Sequence, residues 1–404
     1  MKKLEMVVLR TAGRKPFFPS PAPFDRDPEL VSATKEDNAF RGVQPDDIEI
    51  DEMNAADHAR ASSDPTVLSV APRMPMTLIK SFEDGAADVS KGAGWGLTAI
   101  NATGSKYDGS GVKVAILDTG IVPHPAFEGV KIKGRDFTRP SNETNEDVTD
   151  IDGHGTHCAG TILGRDIDEC RIGVARGITD LLIAKVVAGE GGNSEQIVRA
   201  VLWAMSEGAA VISMSLGMDF PGYQKALVEQ HDMDPAQATS LALAGYRQNT
   251  KLFDDLSRVT VGHEGLIAGC VVVASAGNES KRPDYTIIVA PPATGDRFLS
   301  VAAVGRDAHG SFQVAKFSNT GATLSAPGVA IRSSDRNGGL SSKSGTSMAT
   351  PHVAGVAALW AQKLMEEGND DLLSSDRVAG AVRSSAKPVA LPKTDVGVGL
   401  VQAP

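Results

Sequence analysis

Val112-Lys113-Val114-Ala115-Ile116-Leu117-Asp118-Thr119-Gly120 is the stretch on which the reading of this chain turns. Its first six residues form an apolar run, interrupted only by Lys113, of the kind a strand buried on both faces requires. The run ends on an acid followed by a turn-forming glycine. Residues 181–187, 210–215, 271–275 and 298–304 repeat the apolar pattern, with helical stretches between them. Strands alternating with helices imply βαβ crossovers, so the expected fold is α/β with a mainly parallel central sheet. In open parallel sheets, catalytic groups gather beyond the C-terminal strand ends, and Asp118 stands at one.

Two more motifs belong beside Asp118. Asp152-Gly153-His154-Gly155-Thr156-His157-Cys158-Ala159-Gly160 puts a glycine-flanked His at the start of a small-residue helix. Ser344-Gly345-Thr346-Ser347-Met348-Ala349-Thr350-Pro351-His352-Val353-Ala354-Gly355 puts a Ser at the start of an apolar one. A Ser hydroxyl is a weak nucleophile until an imidazole takes its proton, and a carboxylate must then fix the tautomer and stabilise the charge. A helix start keeps the hydroxyl clear of preceding turns and aims backbone N–H groups at a developing oxyanion.

Each motif alone has a plainer meaning. Asp-Thr-Gly also occurs in aspartic peptidases, which need two copies or a dimer, and this long chain has one. His154 and His157 stand three apart, without the Glu that helical zinc peptidases place between their two His, and do not read as a metal pair. A Ser opening a helix is most often a cap. The Gly-x-Ser-x-Gly elbow of esterases is missing around Ser347.

Together, and in the order Asp, His, Ser, the motifs resemble subtilisin-like serine peptidases. The likeness runs from about residue 93 to 386. It implies a three-layer subtilisin-like fold and a serine endopeptidase with Asp118, His154 and Ser347 as its triad, working on peptides or proteins. Val273-Ala274-Ser275-Ala276-Gly277-Asn278 resembles the family's oxyanion segment, with Asn278 donating its amide beside the Ser347 N–H. Ser215, Leu216 and Gly217 resemble the strand that pairs with substrate and walls the specificity pocket. Gly191 and Gly192, after Glu190, resemble the opposing edge. Both would hold an extended peptide through main-chain hydrogen bonds. Gly217, with Ala276 and Gly277 nearby, suggests small walls that admit a large apolar side chain. No cofactor is required for this chemistry. Family members often hold structural calcium after the His helix. Here residues 163–171 set two arginines against a cation and match no ligand set, so structural calcium stays open and no metal ligands are assigned. The same residues leave two alternatives open: a catalytically silent peptide-binding module, and a ligase or cyclase that passes the acyl group to an amine.

Residues 1–82 read as a separate small α+β unit. They hold a strand-like run at 4–9, a Pro- and aromatic-rich irregular loop over 11–30 and a period-two alternation over 47–51. A helix capped by Asn54 follows, and then a strand at 67–72. Over residues 56–79 this unit resembles the family's propeptide. That implies a zymogen whose N-terminal domain is an intramolecular inhibitor with its tail in the cleft, cut somewhere between 78 and 94. Residues 83–111, rich in Gly, Ala and Ser, read as a linker into a catalytic unit spanning 83–404. Residues 218–264, with a long helix over 235–256, exceed the compact connection of short members and read as a surface insertion.

The bulk numbers exclude other classes. Forty basic residues face 50 acidic ones, for a net charge of −10, with no basic run, which argues against nucleic acid or an anionic membrane as partner. No stretch approaches the 18 apolar residues of a membrane span. Cys158, Cys170 and Cys270 cannot all pair and lack metal-ligand spacing, so they read as buried reduced thiols. Met1-Lys2-Lys3 is not followed by an apolar run of signal-peptide length. A cytoplasmic location is the simplest expectation, with non-standard export or a trimmed start left open.

Overall fold

The computed structural model describes residues 3–11, 43, 47–86, 91–139, 145–189, 191–261, 269–368 and 374–404. The Pro-rich stretch after residue 11, and Glu190, fall outside them. The N-terminal unit comprises β1 (Leu4–Arg10), β2 (Ile48–Met53), α1 (Ala55–Ser62) and β3 (Val67–Pro72). The sheet order is β2-β1-β3, antiparallel throughout. α1 starts where Asn54 predicts: the Asn54 side chain accepts from the Ala56 and Asp57 N–H groups, and Asp57 answers the Asn54 N–H. β1 buries both faces, Met6 and Val8 against Met53 and Val70, and Val7 and Leu9 against the second unit. The alternation over 47–51 holds only in part. Ile48 is buried, but Ile50 is 36% exposed, because β2 is an edge strand.

The chain then leaves this sheet. β4 (Pro75–Leu78) and β5 (Phe82–Ala86) pair with strands of the second unit. β6 (Gly92–Ala93) and α2 (Trp95–Ala99) follow. The stretch expected to be a linker is therefore partly docked strand and helix. Its composition hides this because backbone pairing to an existing edge needs no side-chain pattern.

The second unit opens with β7 (Lys113–Asp118), β8 (Lys131–Asp136), α3 (His154–Leu163), β9 (Cys170–Arg171) and β10 (Asp180–Lys185). Next come β11 (Gly192–Asn193), α4 (Ser194–Ser206), β12 (Val211–Met214), β13 (Leu216–Met218), α5 (Phe220–Glu229) and α6 (Pro235–Val259). β14 (Val271–Ser275), β15 (Leu299–Arg306), β16 (Phe312–Val314), β17 (Leu324–Pro327) and β18 (Ile331–Ser334) continue the chain. β19 (Leu340–Ser344), α7 (Thr346–Glu367), α8 (Ser375–Ser384) and α9 (Lys393–Val396) close it.

The central sheet runs β16-β15-β14-β12-β7-β10-β8, with β17 also on β15. Every pairing is parallel except β15 with β16. Val114 and Ile116 face a core shared with α3 and α7, while Ala115 and Leu117 face one shared with α4 and α6. Helices on both faces explain why the 112–117 run is apolar almost throughout and make the architecture three-layered.

The 218–264 insertion proves less superficial than its polar residues suggest. The C-terminal half of α6 buries Leu252, Phe253 and Leu256 in the main core. The same helix carries the N-terminal unit. Asn249 Nδ2 donates to Pro72 O and Lys251 Nζ to Leu68 O, both at 2.9 Å, and Ser69 bonds the buried Asp255. No helix among the described residues is long and apolar enough to cross a membrane.

Candidate active site

β7 delivers Asp118 to its C-terminal end, and α3 begins with His154. Gly153, just before, has φ +101°, a conformation glycine takes without strain. A Cβ on Gly155 would lie 2.2 Å from Gly120 O, so the two segments meet backbone to backbone. Asp150 ties them together. It accepts from Thr119 Oγ1 (2.8 Å), Gly153 N (2.8 Å), Thr156 N (2.9 Å) and Thr156 Oγ1 (2.7 Å). Burial works against its charge, but these donors outweigh it and hold the carboxyl below the usual range. Nothing in the local pattern marks Asp150, and sequence reasoning missed it.

His154 Nδ1 lies 2.8 and 3.0 Å from the two Asp118 oxygens, with both side chains 1% exposed. Burial opposes the imidazolium, yet the Asp118 carboxylate outweighs it and holds His154 well above its ordinary 6.5. His154 Nε2 is buried without a hydrogen-bond partner among the described residues.

Gly345, not Ser347, is the N-cap of α7, so the Ser347 hydroxyl is not spent on capping. It donates to Ile79 O at 2.8 Å. Pro351 has no N–H to give the Ser347 carbonyl four residues back. The Cys158 thiol donates there instead, at 3.4 Å, and its sulfur is 3.8 Å from His154 Nδ1. Burial is the main cause that pushes this thiol up, so it stays protonated. All three cysteines are buried and free, as expected. Asp118, His154 and Cys158 present possible ligand atoms within 4.8 Å of one another, but those atoms are already bonded as described. His157 turns away to Ile331 O at 3.0 Å, and burial, helped by nearby Lys343, pushes it down to about 3.

Beyond β14, Gly277 turns the chain with φ +109° and presents Asn278. Asn278 Oδ1 accepts from Thr346 N (2.9 Å) and Thr346 Oγ1 (2.8 Å), which leaves Nδ2 facing the cleft. There it donates to Lys80 O at 2.9 Å. Thr346 was not singled out in the sequence, although it adjoins Ser347. Ala276 and Gly277 support this loop: Asn319 Nδ2 donates to Ala276 O at 3.1 Å, and Gly277 N to Thr346 Oγ1 at 3.2 Å.

The cleft holds β4. Thr77 lies opposite Gly217 and Leu78 opposite Leu216, while Met76 lies between Met218 and Gly192. Ile79 N donates to Ser215 O at 3.2 Å. A Cβ on Gly217 would sit 3.2 Å from Ile79 Cγ1, and one on Gly191 2.8 Å from Met76 O. Ser215, Leu216, Gly217, Gly191 and Gly192 thus border one extended segment. β5 continues it along β19, with the Phe82 ring tilted against Phe317, centroids 5.0 Å apart.

The loop after α3 does not fit a bound cation. Arg165 donates to Leu163 O and Ile178 O at 2.9 Å, and Arg171 to Ala102 O and Val174 O. Asp166 pairs with Arg176 at 2.8 Å, and Glu169 with Lys91. These four carbonyls and the Asp166 and Glu169 carboxylates, oxygens of the kind calcium takes, thus face cationic side chains instead.

A cleft that clamps extended chain by main-chain hydrogen bonds, above a buried acid–imidazole pair, belongs to a peptide-cleaving enzyme of the serine class. The subtilase family (peptidase S8) matches residues 109–399, so the chain belongs to that family and is a subtilisin-like serine endopeptidase. It is 32% identical over 299 residues to an intracellular serine protease of Paenibacillus polymyxa, covering 72% of this chain and 79% of that one. It is 30% identical over 300 residues to the major intracellular serine protease of Bacillus subtilis (strain 168), covering 72% and 81%. Subtilisin E of the same strain is 34% identical over 281 residues, covering 68% and 62%.

Proposed function

We propose that Ser347 attacks the scissile carbonyl while His154 Nε2 takes its proton, Asp118 stabilises the imidazolium, and Asn278 Nδ2 with the Ser347 N–H holds the oxyanion. Collapse expels the amine, which takes the proton from His154. Water then repeats the sequence on the acyl-enzyme.

The observation that carries this reading is the seat of residues 75–80. Ile79 N reaches Ser215 O, Ile79 O meets the Ser347 hydroxyl, and Lys80 O meets Asn278. Ile79 then fills the specificity pocket beside Gly217, and Ile79–Lys80 is the bond cut in maturation. In the seated state Ser347 donates to the carbonyl oxygen next to the carbon it must attack, and the Asn278 amide is taken by the following carbonyl. Both must shift before attack, so the N-terminal unit, with residues 75–80 as its tail, inhibits the zymogen. The intracellular relatives support a cytoplasmic site of action.

Intact-mass spectrometry after treatment with a fluorophosphonate tests these roles. One adduct is expected on wild type and none on Ser347→Ala, and the labelled fragment should begin at Lys80. An adduct surviving Ser347→Ala refutes the nucleophile, and a different new N-terminus refutes the register. Products carrying an added amine would favour the ligase alternative.

A further inference from the structure

The chain leaving the cleft does not turn into solvent. β5 runs antiparallel to β19, with Phe82 opposite Ser344, Glu83 opposite Lys343 and Ala86 opposite Ser341. β19 ends just before the turn into α7 and Ser347. It therefore receives peptide beyond the cleaved bond, as β13 and β11 receive it before that bond.

One residue on β19 is out of keeping with a plain edge strand. The Lys343 side chain is only 7% exposed, and it meets the Glu83 carboxylate at 2.8 Å, while Glu83 itself is 66% exposed. Lysine is rarely so buried without an acidic partner, because the ammonium loses its hydration. The other groups nearby do not replace Glu83. His157 is neutral, and Lys343 is one reason it stays so. Asp335 feels the Lys343 charge, but it pairs with no lysine among the described residues and accepts instead from the Asn337 N–H at 2.8 Å.

We infer that Lys343 forms a specificity subsite that selects an acidic residue, glutamate above all, at the fourth position after the cleaved bond. This rests on Ile79–Lys80 as the bond presented to Ser347, which makes Lys80 the first residue after it and Glu83 the fourth. The subsite then serves twice: it anchors the chain's own segment, and it sorts other substrates by charge. Because the glutamate end stays in water, the expected preference for Glu over Gln is about 3- to 10-fold in kcat/KM, above a fully exposed pair and below a buried one. Lys at that position should be poorer than Gln. The preference should shrink in about 1 M salt, where screening reaches ~3 Å.

The test uses the full-length chain and peptides copying residues 75–86, with Glu, Gln or Lys in place of Glu83. Competing them in one reaction gives relative kcat/KM whatever fraction of enzyme is active, and mass spectrometry reads which bond is cut. The ranking Glu, Gln, Lys is expected for wild type, a flat response for Lys343→Met and a reversed one for Lys343→Glu. Cleavage between Ile and Lys with no ranking in wild type overturns the subsite and leaves the peptidase reading intact. Cleavage at another bond overturns the register, and the subsite with it. No cleavage of any peptide and no fluorophosphonate adduct, on protein whose mass shows residues 1–79 already released, overturns the roles assigned to Ser347 and His154 and so this inference too, while a chain that stays whole overturns the cut at Ile79–Lys80 and the register with it. If Lys343→Glu fails to fold, the wild-type ranking and Lys343→Met still decide.

Discussion

Replacing Asn278 by Ala removes a donor whose direction is set by the fold. Thr346 N and Oγ1 hold the amide oxygen at 2.9 and 2.8 Å, so Nδ2 can only face the cleft, where it now meets Lys80 O. In the proposed mechanism that amide faces negative charge in the transition state that the ground state lacks, so its loss should fall on kcat and hardly on KM. The expected loss is about 10²–10³ in kcat, or about 2.7–4 kcal/mol, the cost measured for such a donor in a peptidase of this same family. The variant also leaves Thr346 without its acceptor, at about 1 kcal/mol of stability. Thermal unfolding must therefore be measured alongside kcat on sites titrated with fluorophosphonate. Thr346→Val keeps the donor but drops one of the two bonds that aim it, and should cost about tenfold. A folded Asn278→Ala enzyme with kcat within about threefold of wild type, against the donor cost expected here, would refute this placement of the oxyanion site.

Three further outcomes follow from the geometry. The base role proposed for His154 needs it neutral, and Asp118 holds it above 6.5, so kcat/KM should climb with pH through a value above 6.5; in Asp118→Asn that limb should move to lower pH. An unmoved limb would assign it to another group. Burial pushes His352 down to about 4 and His157 to about 3, while the unfolded imidazoles titrate near 6.5. The unfolded chain thus binds more protons between those values, and stability in urea should fall as pH drops from 6.5 toward 4; a flat profile counts against the burial of both. Asp255→Ala removes the acceptor of the buried Ser69 hydroxyl and the carboxylate paired with Lys251, and should weaken docking of the N-terminal unit by about 1–3 kcal/mol. Hydrogen exchange of β3 reads that loosening, and unchanged protection would show that the apolar contacts suffice alone.

The candidate site was legible where residue type and local pattern carry the chemistry. Asp118 and His154, far apart in the chain, come within 2.8 Å, and Asn278 reaches the same cleft. Asp150 and Thr346 were not legible, since an acid in a loop and a threonine beside a serine look ordinary until their donors and acceptors are placed around them. The polar face of α6 suggested a solvent-covered insertion, yet its Asn249 and Asp255 are polar because they bond the N-terminal unit.

The sequence by itself determined the alternation of buried strands with helices, the parallel core and the chemical types at the site. Apolar runs, glycines at forced turns and helix starts are local signals that each segment carries alone. Only the tertiary structure decided what fills the cleft and what holds it there. Ser347 and Ile79 are 268 residues apart, and β4 and β5 join foreign edges through backbone groups that every residue possesses. Such pairings leave no mark in side-chain pattern, and they are settled only when the whole fold brings the edges to the segment.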